Sequence, residues 1–478
     1  MCNTLLPLAC TACLAFVLLA GLGCLDNLAA PDKPALPATL NWGASSDSSS
    51  DGEAVEATRL SVSNATLDDL RSRLKAFKFV EPVENSGFEY GFNGAFMKQL
   101  VSHWLNKYNW RVWEDRLNSF PNYFTRIEGL KVHFMHLKPS KQGVKKRVPL
   151  LILHGWPGSV FEFYKLIPLL TTPDTDGLAF EVVAPSIPGY GWSEAAKKRG
   201  FSAAACARVF DKLMVRLGYR QYYIQAGDFG SVIGHVMPRL FPERVLGFHT
   251  NMPVQPVRQP SIMIQTILGS FLPEGVLFSR LDCGKLFPYL ENFGNTIRES
   301  GHMHLHSTRP DSVGHALSDS PVGLAAYIIE KFSVWTLPEN LFAENGNLVG
   351  LKATFSLNEL LTNVMIYWTT GSITSSMRLY KESFGSDMEA TSAYQSMPSD
   401  VPYGVTCLAH ELSRVPERFV RVTNPNLLHY ADFDYGGHFA AFELPDLMNS
   451  EVRAFVRAAE KFYAEKRPNK FEGVRSEL

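Results

Sequence analysis

No lysine or arginine occurs before Lys33, no Cys-x-x-Cys pair lies in the body of the chain, and neither sign of charge predominates: the 478 residues sum to −1. That balance excludes the basic footprint of a nucleic-acid binder and offers nothing to an acidic polymer. The seven cysteines are Cys2, Cys10, Cys13, Cys24, Cys206, Cys283 and Cys407. The three beyond residue 24 cannot make an even disulfide framework. Cys10 and Cys13 have the spacing of a metal pair, but they sit in an apolar run where packing is the simpler role. No internal repeat is visible.

What is present begins with a long uncharged stretch. From Leu5 to Leu25 there is no charged residue, and about 20 apolar residues in a helix span a bilayer's hydrocarbon core. Without a basic start this reads as an uncleaved anchor rather than a cleaved signal peptide, although small residues around Gly21-Leu22-Gly23 leave cleavage open. Lys33 follows the span and places the body on the cytosolic side. The chain as a whole is 46% hydrophobic and 19% charged, as in a globular protein with a large core.

Pro- and Ser-rich sequence, including Ser45 to Asp51, then reads as a linker. Leu60 to Leu137 shows apolar residues at helical spacing, among them Phe96, Leu100, Val101 and Trp104. From Val148 the pattern changes. Val148 to Leu153, Phe180 to Ala184, Tyr222 to Ala226 and Val245 to His249 are short apolar runs that alternate with helical stretches. This predicts a mostly parallel sheet covered on both faces. The alternation stops at about Pro253 and gives way to aromatic, Met- and Pro-rich helical sequence up to Asp400. Arg418 to Val422 is expected to resume a strand, and Pro445 to Tyr463 to form an amphipathic helix with Val452, Phe455, Val456, Ala459 and Phe462 on one face.

Function in a parallel sheet sits beyond the carboxyl ends of the strands. Ala226-Gly227-Asp228-Phe229-Gly230 has the small-x-nucleophile-x-small form of a nucleophile elbow with Asp at its centre. Taken alone, Asp there is also a common helix cap. His154-Gly155-Trp156-Pro157-Gly158 supplies glycine-flanked N–H groups that can face developing negative charge. His438 lies late in the chain after two glycines. Nucleophile, then acid, then histidine is the order of α/β-hydrolases. A carboxylate attacks saturated carbon bearing a leaving group, forming an alkyl ester. His438, held by a buried acid, would activate the water that hydrolyses it. Glu411, Asp432 and Asp434 are all candidates for that acid.

With these strings in place the chain closely resembles the microsomal epoxide hydrolases, from about Leu60 to Phe462. The resemblance is carried by His154 to Ser159, Pro185 to Gly191, Gly227 to Ser231, Asp319 to Tyr327 and Gly436 to Glu443. It implies an α/β-hydrolase fold with a helical lid, anchored in the endoplasmic reticulum membrane, that hydrolyses small apolar epoxides to diols without metal or organic cofactor (the class that acts on cis-stilbene oxide). Position by position, it makes Asp228 the nucleophile, His438 the base, Glu411 the orienting acid and Tyr380 a lid phenol on the epoxide oxygen. Trp156 and Phe229 lend backbone N–H groups; Phe229 stands where the family usually has Trp. The second lid tyrosine falls on His302, a donor whose ordinary pKa of about 6.5 would make it sensitive to pH. The implied division is an anchor or signal over 1–30, a linker over 31–59, an N-terminal epoxide-hydrolase region over 60–147, core over 148–252, lid over 253–400 and core again over 401–478. Two other readings are a haloalkane dehalogenase, which shares the Asp and His, and a catalytically weak membrane-bound carrier of apolar ligands.

Overall fold

Apolar runs too short for helices become the strands of a single sheet. The computed structural model describes residues 26, 32–44, 52–254, 258–342 and 354–466. The apolar stretch Leu5 to Leu25 and the run Ser45 to Asp51 lie outside the described residues. No helix among the described residues is long and apolar enough to cross a membrane.

The strands are β1 (Val55–Thr58), β2 (Asn122–Ile127), β3 (Leu130–Leu137), β4 (Lys146–Leu153), β5 (Leu178–Pro185), β6 (Tyr222–Ala226), β7 (Val245–Thr250), β8 (Tyr403–Cys407) and β9 (Leu427–Asp432). Their spatial order is β1-β2-β3-β5-β4-β6-β7-β8-β9. The pairs from β1 to β5 by way of β2 and β3 are antiparallel; those from β5 through β4 to β9 are parallel. All residues of β6, β7 and β8 are buried, which is why these strands read as continuous apolar runs rather than alternating ones.

Neighbouring residues of β7 show that both faces are covered. A Cβ on Gly247 would meet Phe455 of the helix Pro445–Lys466, whereas Phe248 approaches Gly234 of the helix Asp228–Leu240. Adjacent strand residues point to opposite faces, so the two helices lie on opposite sides. The expected apolar stripe Val452, Phe455, Val456, Ala459 and Phe462 is buried against the sheet.

Three expectations need correction. Arg418 to Val422 is not a strand but part of the helix Glu417–Thr423, with Pro416 before it and Phe419, Val420 and Thr423 buried at helical spacing. The strands lie on either side, at β8 and β9. The region from Leu60 to Leu137 is helical only at first; it ends in the β2–β3 hairpin. Glu128 and Gly129 both take positive φ, of 50° and 77°, the geometry of a two-residue hairpin turn that matches strand twist. Finally, the stretch expected to be a linker contains β1 and a packed strap. Trp42 is fully buried, and its indole N–H donates to Glu128 at 2.8 Å. Glu128 also receives Arg208, whose other guanidinium N–H groups hold the Pro37 and Thr39 carbonyls at 2.6 Å.

Between β7 and β8 the described chain is helical: Pro260–Gly269, Arg280–Leu286, Tyr289–Glu299, Gly301–Thr308, Pro310–Asp319, Pro321–Val334, Leu357–Thr370, Ile373–Tyr380 and Met388–Ser396 are its α-helices. Tyr380 is the last residue before a π-helical turn, Lys381–Ser386, the irregularity that often marks a functional position.

Candidate active site

The site forms where β4, β6, β7 and β8 end. Asp228 directly follows the turn residue Gly227 and begins a helix with φ 48°, a left-handed conformation that costs a non-glycine residue energy. The glycines around it leave no room for side chains. A Cβ on Gly155 would lie 2.0 Å from Asp228 Oδ1, and one on Gly230 would lie 2.4 Å from the Leu153 carbonyl oxygen.

The Trp156 backbone N–H donates to Asp228 Oδ1 at 2.7 Å, and the Phe229 N–H adds a second backbone contact to this carboxylate. Oδ2 lies 3.1 Å from His438 Nε2, and His438 Nδ1 lies 2.6 Å from Glu411 Oε1. Glu411 is buried; its second oxygen receives Asn251 Nδ2 at 3.0 Å, and its first also receives the Leu412 N–H at 2.7 Å. Asp432 instead pairs with Lys285 at 2.5 Å, and Asp434 is exposed. Glu443 braces the loop that carries His438 by accepting from Gly437 N at 3.0 Å and Phe439 N at 2.8 Å.

The charges reinforce one another. Burial alone would lower the His438 pKa, but the Glu411 and Asp228 carboxylates more than offset it and raise it well above the ordinary value. Burial likewise works against the Asp228 carboxylate; His438 and the two backbone N–H groups prevail and hold its pKa down. Asp228 and His438 therefore form an ion pair near neutral pH.

Aromatic rings roof the site. Tyr380 is buried with its ring 4.8 Å from Phe229 and 6.2 Å from Trp156. Burial and the Asp228 charge keep its phenol protonated. His302 stacks on Trp156 at 5.2 Å and lies 6.1 Å from Tyr380. Burial pushes its pKa down to about 3, so the expected titration near 6.5 does not occur and the imidazole is neutral at ordinary pH. His306 Nδ1, Trp156 Nε1 and Trp335 Nε1 are buried without a hydrogen-bond partner. The Trp156 ring packs against those of His306 and Trp335, and orphaned groups of this kind suit a ligand with polar atoms. Among the described residues no cluster of His, Cys, Asp or Glu could hold a metal ion.

Sequence reasoning missed four participants. Asn251 follows the carboxyl end of β7, a position that the strand-end rule marks. His306 lies one helical turn after His302 and meets Tyr327 OH at 2.9 Å. Trp335 accepts from the His438 backbone N–H at 3.0 Å. Glu162, in the short turn after His154 to Gly158, has no sequence signal. It borders a cavity of about 20 Å³ together with Asp228, His438, Gln225 and Asn251, and burial raises its pKa to about 8.

A parallel sheet with a carboxylate on a strained strand-to-helix turn, joined to a histidine and a glutamate, defines an α/β-hydrolase whose elbow carries Asp. Comparison with known proteins agrees. Residues 55–163 match the family model of the epoxide hydrolase N terminus, and residues 148–273 match that of the alpha/beta hydrolase fold. Epoxide hydrolase 1 of Sus scrofa is 43% identical over 426 residues, covering 88% of this chain and 92% of that protein. Juvenile hormone epoxide hydrolase 1 of Ctenocephalides felis is 40% identical over 465 residues, covering 96% and 97%. The crystal structure of juvenile hormone epoxide hydrolase from the silkworm Bombyx mori superposes with a TM-score of 0.84 at 38% identity, over 89% of this chain and all of that one. The chain belongs to the epoxide hydrolase family.

Proposed function

We propose that this protein hydrolyses small apolar epoxides to vicinal diols through an ester on Asp228, with His438 as base, Glu411 as its orienting acid and Tyr380 as proton donor. The observation that carries the reading is the Asp228 carboxylate, held between two backbone N–H groups and His438 beneath a roof of aromatic rings. Asp228 attacks an epoxide carbon, the C–O bond breaks, and its electron pair takes the Tyr380 proton. Esterification removes the negative charge that helped to keep His438 protonated. Its proton passes to the Tyr380 phenolate, and the neutral imidazole becomes a base. Water attacks the ester carbonyl and gives a proton to His438, while the N–H groups of Trp156 and Phe229 hold the oxyanion. As that intermediate collapses, the bond to the diol oxygen breaks and this oxygen takes the remaining proton of the attacking water; the diol leaves, the carboxylate is restored and His438 is again the imidazolium.

The cavity beside Asp228 has the volume of one water molecule. We assign it to the hydrolytic water and give Glu162, in its protonated form, the role of positioning that water. His302 serves as the second donor to the epoxide oxygen through a neutral ring, and its freedom from charge near neutral pH supports this role. The finer assignment is the microsomal type, anchored by Leu5 to Leu25 in the endoplasmic reticulum membrane with its catalytic domain on the cytosolic side.

Incubation with a styrene-type epoxide and a bromoalkane tests the reading. Diol without halide release supports it. Halide release points to dehalogenation, and tight binding of the epoxide without diol points to a carrier. A panel of aryl, alkyl, sterol and terpenoid epoxides then defines the substrate.

A further inference from the structure

The helices between residues 260 and 308 carry an apolar face that no described residue covers. In Tyr289–Glu299, the residues Tyr289, Phe293 and Ile297 recur every four positions, with Leu290 beside them. All four are exposed: Leu290 at 80% and Phe293 at 53%. Glu291, Asn292, Asn295 and Arg298 occupy the other side, and no residue of this helix is buried. A helix packed on a core turns its apolar stripe inward; this one turns it outward. Pro260–Gly269 repeats the pattern. Ile262 and Ile264 are buried, while Met263, Ile267 and the following Phe271 recur every four residues and are exposed, Phe271 at 83%. The end of the first helix lies close to the start of the second: a Cβ on Gly269 would lie 2.9 Å from the Phe287 ring, two residues before Tyr289. Scattered exposed side chains need no explanation, but a continuous face of this kind does.

The course of the chain indicates what covers it. The uncharged segment Leu5 to Leu25 ends one residue before Asp26. Asp26 Oδ1 accepts the Ser261 backbone N–H at 3.0 Å, and its carboxylate also receives the Ser261 hydroxyl. A segment long enough to cross a bilayer therefore leaves the body beside the helix that presents Met263 and Ile267.

We infer that the outward face of Pro260–Gly269 and Tyr289–Glu299 lies in the bilayer interface, as a second membrane contact beside the N-terminal segment. Amphipathic helices with this layout bind by burying their apolar face at the headgroup–acyl boundary. The contact has a consequence for substrate entry. Gly301–Thr308, which carries His302 and His306 over Trp156, directly follows the interfacial helix. The roof of the active site is thus continuous with the membrane surface, and an epoxide dissolved in lipid reaches it from that side. This inference rests on the anchor proposed above.

The test uses the full chain in phosphatidylcholine vesicles, with the photoreactive p-benzoylphenylalanine replacing Phe271 or Phe293. A control replaces Val215, which is exposed on the helix Ala203–Arg216. The expected result is flotation with the vesicles and lipid adducts at 271 and 293 but not at 215. Flotation without lipid adducts, or cross-links from 271 or 293 to residues 1–25 or to a second copy, would overturn the lid contact and leave the anchor standing. Absence of flotation would overturn the anchor and the inference together. In addition, the double variant Phe271→Asp/Phe293→Asp should lower kcat/KM for a lipid-partitioned epoxide roughly tenfold or more and leave a water-soluble epoxide unaffected. Equal losses on both substrates would contradict the inference.

Discussion

At the scale of single residues the chemistry is a matter of which charges are allowed to exist. Asp228 and His438 sustain each other's ionised forms, and Glu411 is the buried carboxylate that holds the imidazole in line. His302 shows the opposite case, a titratable group made neutral by burial. Its replacement by tyrosine restores a phenol, so His302→Tyr should preserve or raise the rate of ester formation, read by rapid-mixing kinetics on a styrene-type epoxide. A fall of roughly a hundredfold would show that the imidazole does something a phenol cannot. Glu162 gives a second prediction. With its pKa raised to about 8 it is protonated below that pH and ionised above it. The rate of ester hydrolysis should therefore bend near pH 8, and Glu162→Gln should remove the bend. An unchanged profile would assign Glu162 a packing role only.

Elements decide whether these residues meet. The turn after β4 and the elbow after β6 approach so closely that Gly155 has no space for a methyl group. Gly155→Ala should cost about 1–3 kcal/mol of stability. It should also lower turnover by roughly a hundredfold, because displacements near 1 Å at the reacting atoms have effects of that size. Urea unfolding and steady-state kinetics check the two effects; near-native turnover would mean the elbow is more compliant than its geometry indicates. This scale also explains what was legible in the sequence. The strands β4 to β7 were readable because a buried parallel strand is a short apolar run bounded by glycine or proline. The elbow was readable because close approach demands small residues. Glu417–Thr423 was misread because seven residues give too few periods to separate helix from strand. The hairpin Asn122–Leu137 was missed because its one signal is a single Glu-Gly turn. Glu411 was one acid among three: its partnership with His438 depends on how β8 and the following loop lie in space, which no local pattern records.

For the molecule as a whole, burial of neutral imidazoles sets the response to acid. His133 and His154 are buried, with pKa values pushed down to about 3 and about 4. His235 and His249 are buried and lie well below the ordinary value. Unfolded, all four would take up protons near pH 6.5. Their contribution to stability is therefore complete above about pH 6.5 and lost as pH falls toward 4, by up to about 1.4 kcal/mol per pH unit for each. His438 has a raised pKa in the fold, so its contribution is complete below about 6.5 and is lost only as pH rises through its folded value. It does not offset the acid loss. Urea midpoints should fall steeply between pH 6.5 and 4; a flat profile would contradict the assigned neutral states. The strap through Trp42, closed by the buried Glu128–Arg208 pair, joins the segment after residue 32 to the core. Pro37, Thr39 and Trp42 are thereby held against the core.

The central claim is that Asp228 forms an ester whose hydrolysis needs His438. His438→Gln removes the base and leaves the carboxylate and the backbone N–H groups in place. Intact-mass measurement after exposure to a styrene-type epoxide should show one added substrate mass, located on the peptide containing Asp228. An unmodified protein, with the wild-type chain still forming diol, would contradict the covalent mechanism.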